Sequence, residues 1–308
     1  MMNKTGIPAG TPEWHAARAR GIGASDAAAV LGLNPYKSAL RLWAEKTGRL
    51  HPPNLDANPN VLRGVALETP IAEAFATQMG FGKVEPCGLL FQADPPYEFI
   101  LATPDFLLDQ GFIDHNNIPV EIKAPSAHNR KQWDEPPPMY EAQVRQQMFV
   151  LGAPYGILVA GFSDKDGRIT EVVSHWIEPL SGAEHEAVIL RLEEFWLDVQ
   201  NDAMPLDKNK DTSATLDDLY PDELKGKVVV LPEKANWIHQ QLEDTNEAIA
   251  RYNTERDFLR SELKAMIGDA DTARLADGSA TYIWRRQDRK GYTVAATSSR
   301  VLRIKKEG

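Results

Sequence analysis

Two carboxylates and a lysine stand at a spacing that could support chemistry. Asp105 closes a Thr-Pro-Asp sequence, and after fifteen intervening residues Glu121 and Lys123 flank Ile122. Because side chains on a strand alternate between its two faces, Glu121 and Lys123 point the same way and Ile122 points into the core. Asp105 comes to lie beside Glu121 if the two segments pair as a hairpin through the glycine- and asparagine-containing stretch between them.

Two carboxylates this close, with one lysine as counter-cation, repel each other unless a hard divalent ion lies between them. Such an ion polarises a phosphodiester and lowers the pKa of a bound water. Lys123 is then placed to orient that water or to help deprotonate it. Taken alone the pattern is weak, because surface strands supply it by chance, so a purely structural role for these residues is the competing interpretation.

Further polar residues could complete such a site. Glu68 falls on a predicted upstream helix that could deliver a third carboxylate. Downstream, Tyr140, Gln143 and Gln147 stand at i, i+3 and i+7 and form one polar stripe on a predicted helix. A polar helix face usually faces solvent, but this one directly follows the candidate metal strand and could line a cleft.

The elements that have to position these residues alternate between helical and extended patterns. Helical spacing and capping residues predict helices over 11–18, 25–31, 40–47, 64–79, 139–151 and 184–199. Short β-branched or aromatic runs predict strands over 84–91, 99–108, 118–124, 155–162 and 170–177. This order favours an α/β or α+β core of about 200 residues, and we assign the main domain to residues 1–203.

The C-terminal third differs in charge and periodicity. Residues 192–224 contain ten acidic residues against two lysines, a net charge of −8, so 204–231 is predicted to be an acidic linker. Within the extension 232–308, positions 238, 242, 245, 249, 252, 256, 259, 263 and 266 repeat at steps of four and three. Seven of these nine residues suit a buried seam, which predicts a coiled coil or helical hairpin; one long helix lying on the main domain is the alternative.

A small β-hairpin is expected after this helical segment, with its turn at Asp277 and Gly278. Residues 271–308 contain nine basic residues against four acidic ones, a net charge of +5. These basic residues either contact DNA or keep a small sheet soluble.

Global composition excludes several classes of protein. The chain has 308 residues, a formal charge of −10 and one cysteine, which excludes an internal disulfide and a cysteine-based zinc cluster. The longest apolar stretch, 156–162, is too short for a membrane span, and the first residues lack the apolar core of a secretory signal. We therefore expect a cytoplasmic protein without a membrane partner.

Eight sequence blocks follow one another in an order typical of a known family: 14–18 (Trp-His-Ala-Ala-Arg), 21–26 (Gly-Ile-Gly-Ala-Ser-Asp), 31–36 (Leu-Gly-Leu-Asn-Pro-Tyr), 42–48 (Leu-Trp-Ala-Glu-Lys-Thr-Gly), 63–68 (Arg-Gly-Val-Ala-Leu-Glu), 103–105 (Thr-Pro-Asp), 121–123 (Glu-Ile-Lys) and 140–143 (Tyr-Glu-Ala-Gln). In order and wording they resemble the YqaJ-type viral recombinases, relatives of bacteriophage lambda exonuclease within the PD-(D/E)xK nuclease superfamily. The resemblance covers roughly residues 11–200.

The resemblance implies a PD-(D/E)xK nuclease core, in which a central mixed sheet is flanked by helices. It implies Mg²⁺ as the cofactor, with Mn²⁺ as a possible substitute. It also implies a set of site residues: metal ligation by Glu68, Asp105, Glu121 and the backbone carbonyl of Ile122, with Lys123 and Gln143 positioning the attacking water and Tyr140 supporting them.

In activity, the resemblance implies an exonuclease that digests linear double-stranded DNA from a 5′ end, 5′-to-3′, in phage-type homologous recombination. By motif position, Arg18 and Ser25 would bind the terminal 5′-phosphate. A guanidinium forks onto phosphate oxygens, and Ser25 opens a predicted helix whose first amides also favour an anion. The competing interpretations are a solvated surface arginine and a plain helix cap.

The resemblance also implies partners: double-stranded DNA ends, a homo-oligomer (a trimeric ring) and a single-strand annealing protein. Two other functions remain open, namely a structure- or site-directed endonuclease on the same fold and a non-catalytic DNA-binding recombination module. The sequence departs from the family pattern at Arg145, where a second glutamine is common, and the region after about residue 202 lies outside the lambda-like core.

Overall fold

The computed structural model describes residues 3–55, 57–81, 84–108 and 118–286. The loop expected to join Asp105 to Glu121 falls largely on residues 109–117, and most of the C-terminal basic residues fall on 287–308; both lie outside the described residues. The chain divides into two compact units, Met1–Pro221 and Asp222–Gly308. The described helices include none with the length and hydropathy needed to span a bilayer.

The first unit contains helices and short strands in alternation. Its helices are α1 (Pro12–Arg18), α2 (Ala24–Val30), α3 (Ala39–Lys46), α4 (Pro59–Met79), α5 (Pro138–Leu151), α6 (Gly182–Gln200) and α7 (Lys210–Leu219), with a 3₁₀ helix at Ala127–Trp133 before α5. Its strands are β1 (Asn3–Pro8), β2 (Ile22–Gly23), β3 (Glu85–Pro86), β4 (Leu89–Gln92), β5 (Ile100–Ala102), β6 (Phe106–Leu108), β7 (Ile118–Lys123), β8 (Gly156–Ser163) and β9 (Ile169–Ile177).

A five-stranded sheet in the order β3-β6-β7-β8-β9 forms the centre of this unit. β7 and β8 pair in parallel, whereas the other neighbours pair antiparallel, so the sheet is mixed. Phe106 of β6 lies opposite Val120 of β7, which is the pairing that the hairpin prediction requires. The predicted α/β class, with a mixed sheet flanked by helices, is confirmed.

The two faces of this sheet are covered by different helices. Alternate residues of β7 and β8, such as Ile122 and Val159, pack with Ile71 of α4 in one buried cluster. The intervening residues of β8 pack with Val144 of α5 in a second cluster. Since Glu121 alternates with Ile122 along β7, its side chain faces the α5 side.

Two glycines of β8 let the helices approach the sheet closely. A Cβ added at Gly161 would lie 2.2 Å from Cγ1 of Ile71 on α4, and one added at Gly156 would lie 2.4 Å from Cγ1 of Val144 on α5. Both distances are far below van der Waals contact. These positions therefore need glycine because two helices that border the site pack against them.

A second sheet has four strands in the order β1-β4-β5-β2, and its strands are interleaved along the chain with those of the first sheet. The predicted strand 99–108 is divided between the sheets, because β5 belongs to the four-stranded one and β6 to the five-stranded one. The chain changes sheet at Thr103-Pro104, where proline has no N–H for a ladder hydrogen bond. Asp105 therefore stands at the junction, immediately before β6.

The first unit extends beyond the predicted boundary at residue 203 and reaches Pro221. Part of the segment predicted to be an acidic linker, 204–231, forms α7, which packs on α3. Asp211 accepts hydrogen bonds from the Ser38 N–H and hydroxyl at 3.0 and 2.9 Å, and Asp207 accepts the Ala39 N–H at 3.0 Å. The acidic residues satisfy the N-terminal amides of α3, which a count of charges does not reveal.

In the second unit, residues 222–286 form one long helix, α8 (Lys234–Ile267), and a two-stranded hairpin. The hairpin strands β10 (Thr272–Arg274) and β11 (Thr281–Ile283) pair antiparallel, as predicted around the turn at Asp277 and Gly278. No residue of α8 is buried.

Candidate active site

Glu121 lies at the centre of a polar cluster between β7 and α5. The residue is 1% exposed. Lys123 donates to Glu121 Oε1, Gln143 Nε2 donates to the same oxygen at 2.6 Å, and Gln147 Nε2 donates to Oε2 at 2.6 Å. A buried carboxylate is costly unless paired and hydrogen-bonded, and here both oxygens have partners on neighbouring elements.

Asp105 is held across the hairpin from Glu121. Its Oδ2 accepts the Ile122 N–H at 2.8 Å. Burial, and then the negative charge of Glu121, raise the pKa of Asp105 well above its ordinary value, against the lowering influence of Lys123. The structure thus brings together the two carboxylates that the spacing predicted, in mutual repulsion.

Glu68, from α4, is half-buried near the same cluster. Burial raises the pKa of Glu68, the charge of Lys123 lowers it, and the charge of Glu121 raises it again. The predicted third carboxylate therefore lies within electrostatic range of Glu121 and Lys123.

Lys123 lies between the carboxylates and an aromatic pair. Burial lowers the pKa of Lys123, but the charges of Glu121 and Asp105 outweigh burial and raise it above the ordinary value. Its Nζ is 5.1 Å from the centre of the Tyr140 ring, which stacks on Trp133 at 5.4 Å. In this arrangement the Lys123 amine is a protonated hydrogen-bond donor, and Tyr140 contacts it through the ring face.

The predicted metal ligands have the right chemistry for a hard divalent cation, since carboxylate and carbonyl oxygens are what Mg²⁺ prefers. A cation bound there would lower the raised pKa of Asp105, because it would offset the cost of burial and the repulsion from Glu121. However, in the described part of the chain no group of three or more histidine, cysteine or acidic side chains is arranged to hold an ion. Glu121 points at its amine and amide donors instead, so the ligand set stays a prediction.

Gln147 is a site residue that the sequence did not single out beyond its place in a polar stripe. It is fully buried and occupies the second oxygen of Glu121. The spacing of Gln143 and Gln147, one turn apart, was the available signal, but periodicity does not tell whether a polar face meets solvent or a buried charge. Arg145, at the position where the resemblance led us to expect a second glutamine, pairs with Glu141 at 2.8 Å on α5.

Arg18 and Ser25, the predicted phosphate ligands, also come together. Arg18 Nη2 donates to Ser25 Oγ at 2.8 Å and lies 3.4 Å from Asp26 Oδ2. The guanidinium lies over the ring of Trp14, 4.7 Å from its centre. A Cβ at Gly23 would lie 2.6 Å from Nη2, so glycine there makes room for the guanidinium.

Two lysines extend this basic cluster. Lys46 Nζ lies 3.0 Å and Lys37 Nζ 4.0 Å from the carboxylate of Asp26. Burial raises the pKa of Asp26, but the charges of Lys46, Arg18 and Lys37 outweigh burial and lower it to about 2. With Glu45, which pairs with Lys37, the cluster holds three cations and two anions, so an added anion would find a net positive charge.

The two clusters are connected through shared elements. Trp14 Nε1, on the helix that carries Arg18, donates to Thr103 Oγ1 at 3.0 Å, two residues before Asp105. On α5, Gln146 Nε2 donates to the backbone carbonyl of Ile22 at 2.8 Å, while the neighbouring Gln147 reaches Glu121. The helix α5 therefore fixes the acidic cluster and the segment before Ser25 relative to each other.

Comparisons with known proteins agree with these motifs. Residues 13–154 match the sequence model of the YqaJ-like viral recombinase domain. The chain is 29% identical over 269 residues to YqaJ of Bacillus subtilis (strain 168), a match that covers 84% of this chain and 79% of the relative. The resemblance seen in the motifs is thereby confirmed.

Among solved structures, the fold is similar to that of LHK-Exo, an alkaline exonuclease from Laribacter hongkongensis. Its crystal structure in complex with dAMP superposes with a TM-score of 0.50 and 24% identity, over 63% of this chain and 94% of that one. This similarity supports the fold assigned to the first unit.

Proposed function

We propose, on the premise that residues 13–154 form a YqaJ-like viral recombinase domain, that this protein is a nuclease of DNA recombination. More specifically, we propose a Mg²⁺-dependent exonuclease that digests linear double-stranded DNA 5′-to-3′. One observation carries the proposal: Glu121 and Lys123 share a face of β7, with Asp105 beside them and the amides of Gln143 and Gln147 directed at the carboxylate.

The proposed metal ligands are Glu68, Asp105, Glu121 and the carbonyl of Ile122. When bound there, Mg²⁺, or Mn²⁺ in its place, would supply Lewis-acid activation of the phosphodiester and a water of lowered pKa. A rotation of the Glu121 side chain away from Lys123 would accompany binding, because Glu121 Oε1 now accepts from Lys123 and Gln143.

The chain's own donors then have defined tasks. Lys123, released from Glu121, donates to the attacking water or to a phosphate oxygen and stabilises the negative charge that builds up at phosphorus. Gln143 lies on the face of α5 that is directed at Glu121, and its side-chain amide holds the attacking water. Tyr140 and the stacked Trp133 limit where the Lys123 amine can go, because its Nζ lies over the Tyr140 ring.

The basic cluster of Arg18, Lys37 and Lys46 is proposed to bind the terminal 5′-phosphate together with Ser25. A phosphate would replace Ser25 Oγ as the acceptor of the Arg18 guanidinium, which already lies against the serine. Anchoring of the end in this cluster while the scissile bond lies at Glu121 is what would make the enzyme act from an end.

The proposal extends to partners. Double-stranded DNA ends are the substrate, and a ring of three copies would keep the enzyme on DNA without requiring a strongly basic surface. A single-strand annealing protein is the proposed partner in recombination. These three proposals come from the family resemblance alone.

End-labelled DNA tests the function. A linear duplex labelled at either end, with 5′-phosphate or 5′-hydroxyl, is incubated with the full chain in Mg²⁺, and parallel reactions contain EDTA or closed circular plasmid. The expected result is stepwise loss of the 5′ label in Mg²⁺, faster with 5′-phosphate, with the plasmid intact and no reaction in EDTA. Cleavage of the circle would instead establish an endonuclease, and intact DNA in every reaction a non-catalytic DNA-binding module.

The phosphate assignment has its own control. Arg18→Lys keeps the charge but loses the two-pronged guanidinium, so the preference for 5′-phosphate over 5′-hydroxyl ends should shrink about ten-fold, the loss of roughly one charged hydrogen bond. Arg20→Lys, on the exposed turn after α1, should keep the preference of the wild type. Equal preference in all three proteins would remove Arg18 from the phosphate site.

A further inference from the structure

We infer that α8 pairs with the α8 of a second copy of this chain as a parallel coiled coil. The inference concerns the second unit and does not depend on the proposed nuclease activity. It rests on three features of α8: its exposed apolar side chains, their heptad spacing and the placement of its charges.

The apolar side chains of α8 have no covering element among the described residues of their unit. The helix has 34 residues and no buried residue, which corresponds to a rod of about 51 Å. Ile249 is 52%, Tyr252 64% and Met266 80% exposed. Helices in water derive most of their stability from the packing of an apolar face, and α8 presents such a face unpacked.

Most of the exposed apolar residues of α8 lie on one narrow stripe, and Trp237 and Phe258 lie outside it. From Ile238 to Met266 nine positions, seven of them apolar, alternate by four and three over four heptads, which is the length at which the pattern indicates a coiled coil. Leu242, Ile249, Arg256 and Leu263 take the a positions, and Ile238, Thr245, Tyr252, Leu259 and Met266 take the d positions. A stripe this narrow fits the seam of a coiled coil better than the wider face of a helix packed on a globular core.

Charge favours a second copy in parallel orientation. Glu255 takes a g position and Arg260 the e position of the next heptad, and parallel strands bring these two positions of different chains together. In an antiparallel pair, g meets g and e meets e, so Glu255 of one copy would not meet Arg260 of the other. The two residues would form two identical interchain pairs in a parallel coil.

Arg256 is the charged residue within the seam. At an a position it costs stability and sets the register. In parallel strands it lies next to Glu255 of the other copy, which offsets its charge. Within one chain Arg256 lies 3.2 Å from Asp257, but both side chains are more than half exposed, so that contact contributes little.

Disulfide trapping tests the pairing in the full chain. In a Cys87→Ser background, single cysteines are introduced by Leu259→Cys or Leu242→Cys in the seam, or by Ser261→Cys on the outer face of the same helix. Under mild oxidation both seam variants should give a covalent dimer on non-reducing gels, at least ten-fold more than S261C at equal protein concentration. A disulfide joins only two chains. The difference in dimer yield between seam and outer-face cysteines can therefore be read whether or not the first unit also associates.

Charge exchange tests the orientation. Arg260→Glu in an L259C background that also carries Arg256→Leu should reduce the yield of covalent dimer several-fold, and the further change Glu255→Lys should restore it, because no seam arginine then meets the new lysine. A further variant, Met266→Cys, is mixed with L242C to detect an antiparallel pair, which brings these two positions together. Three results would overturn the inference: equal cross-linking of the seam and outer-face variants, cross-linking only between L242C and M266C chains, or no restoration by the exchange.

Discussion

At the scale of single residues, the chemistry depends on how a buried carboxylate is supplied with donors. Strand alternation predicted that Glu121 and Lys123 share a face, and the register of β6 and β7 places Asp105 beside them. The role of Gln147 could not be predicted, since it depends on which face of α5 packs on β7, a tertiary fact. The ion pair between Lys123 and Glu121 could not be predicted either, because the spacing determines which face of the strand a side chain lies on but not which rotamer it adopts.

Gln147→Met tests the donor role. The change keeps the volume of the side chain and removes the hydrogen bond to Glu121 Oε2, so Glu121 should be less well oriented. We expect nuclease turnover to fall by about 10–100-fold, the usual effect of losing a hydrogen bond that orients a metal ligand. Gln132→Met, at an exposed glutamine, is the matched control. Equal turnover of the two variants would show that Gln147 only fills space.

The low pKa of Asp26 predicts that the free energy of unfolding decreases in acid. Its folded pKa is about 2 and its ordinary value 3.8, so between these values the unfolded chain binds the proton more readily. The stabilisation is fully present above about pH 4 and is lost as pH falls towards 2, amounting to about 2 kcal/mol. Urea unfolding at pH 7, 4 and 3 should show a smaller decline for Asp26→Asn than for wild type. Parallel declines would contradict the assigned pKa.

At the scale of elements, two helices clamp the central sheet through glycines of β8. The sequence predicted α4, α5 and the strands β7, β8 and β9, because their periodicities are strong, but it did not predict β1 or β2. It did not predict that the segments 84–91 and 99–108 would each be divided between two sheets. The division of 99–108 occurs at Thr103-Pro104, where proline has no N–H for a ladder hydrogen bond, and the division of 84–91 occurs between Pro86 and Leu89.

Gly161→Ala tests the clamp. Its methyl would meet Ile71 of α4 at 2.2 Å, so α4, which carries Glu68, has to move away from the sheet. We expect a loss of about 1–3 kcal/mol in the free energy of unfolding together with a loss of activity. The double variant with Ile71→Ala should lose less free energy of unfolding than the sum of the losses in G161A and I71A measured separately.

Gly64→Ala, on α4 itself, is the control for this experiment. Among the described residues, no atom outside the neighbouring backbone of α4 lies within 4 Å of the added methyl, and alanine favours a helix interior over glycine by about 1 kcal/mol. This variant should therefore be more stable than wild type. Additive losses in G161A with I71A would show that the two residues do not interact through the clamp.

At the scale of the whole molecule, the first unit is longer than charge and composition suggested. The acidic residues of 204–221 looked like a linker because they are numerous, yet Asp207 and Asp211 accept hydrogen bonds from the start of α3. Composition reports how many charges a segment has and not whether they meet backbone donors. The C-terminal helix and hairpin, in contrast, follow from local pattern alone and were predicted.

Truncation tests this boundary. A chain ending at residue 221 keeps α7 and should retain the melting temperature and nuclease activity of the first unit. A chain ending at 203 loses the acceptors for Ser38 and Ala39 and the buried Thr215, a loss of about 2 kcal/mol or more. That loss corresponds to a melting temperature lower by roughly 4–8 °C. Equal melting of both truncated chains would place the boundary at 203.

The central claim is that the Glu121–Lys123 cluster hydrolyses DNA, and replacing its lysine tests this most directly. Nucleotide release from a linear duplex in Mg²⁺ is compared for wild type, Lys123→Met and Lys165→Met, the last at an exposed lysine in the turn between β8 and β9. We predict wild-type rates for K165M and a decrease of about 10²–10³-fold for K123M, the loss expected when one donor to the transition-state charge is removed. Digestion by K123M at the wild-type rate would contradict the account.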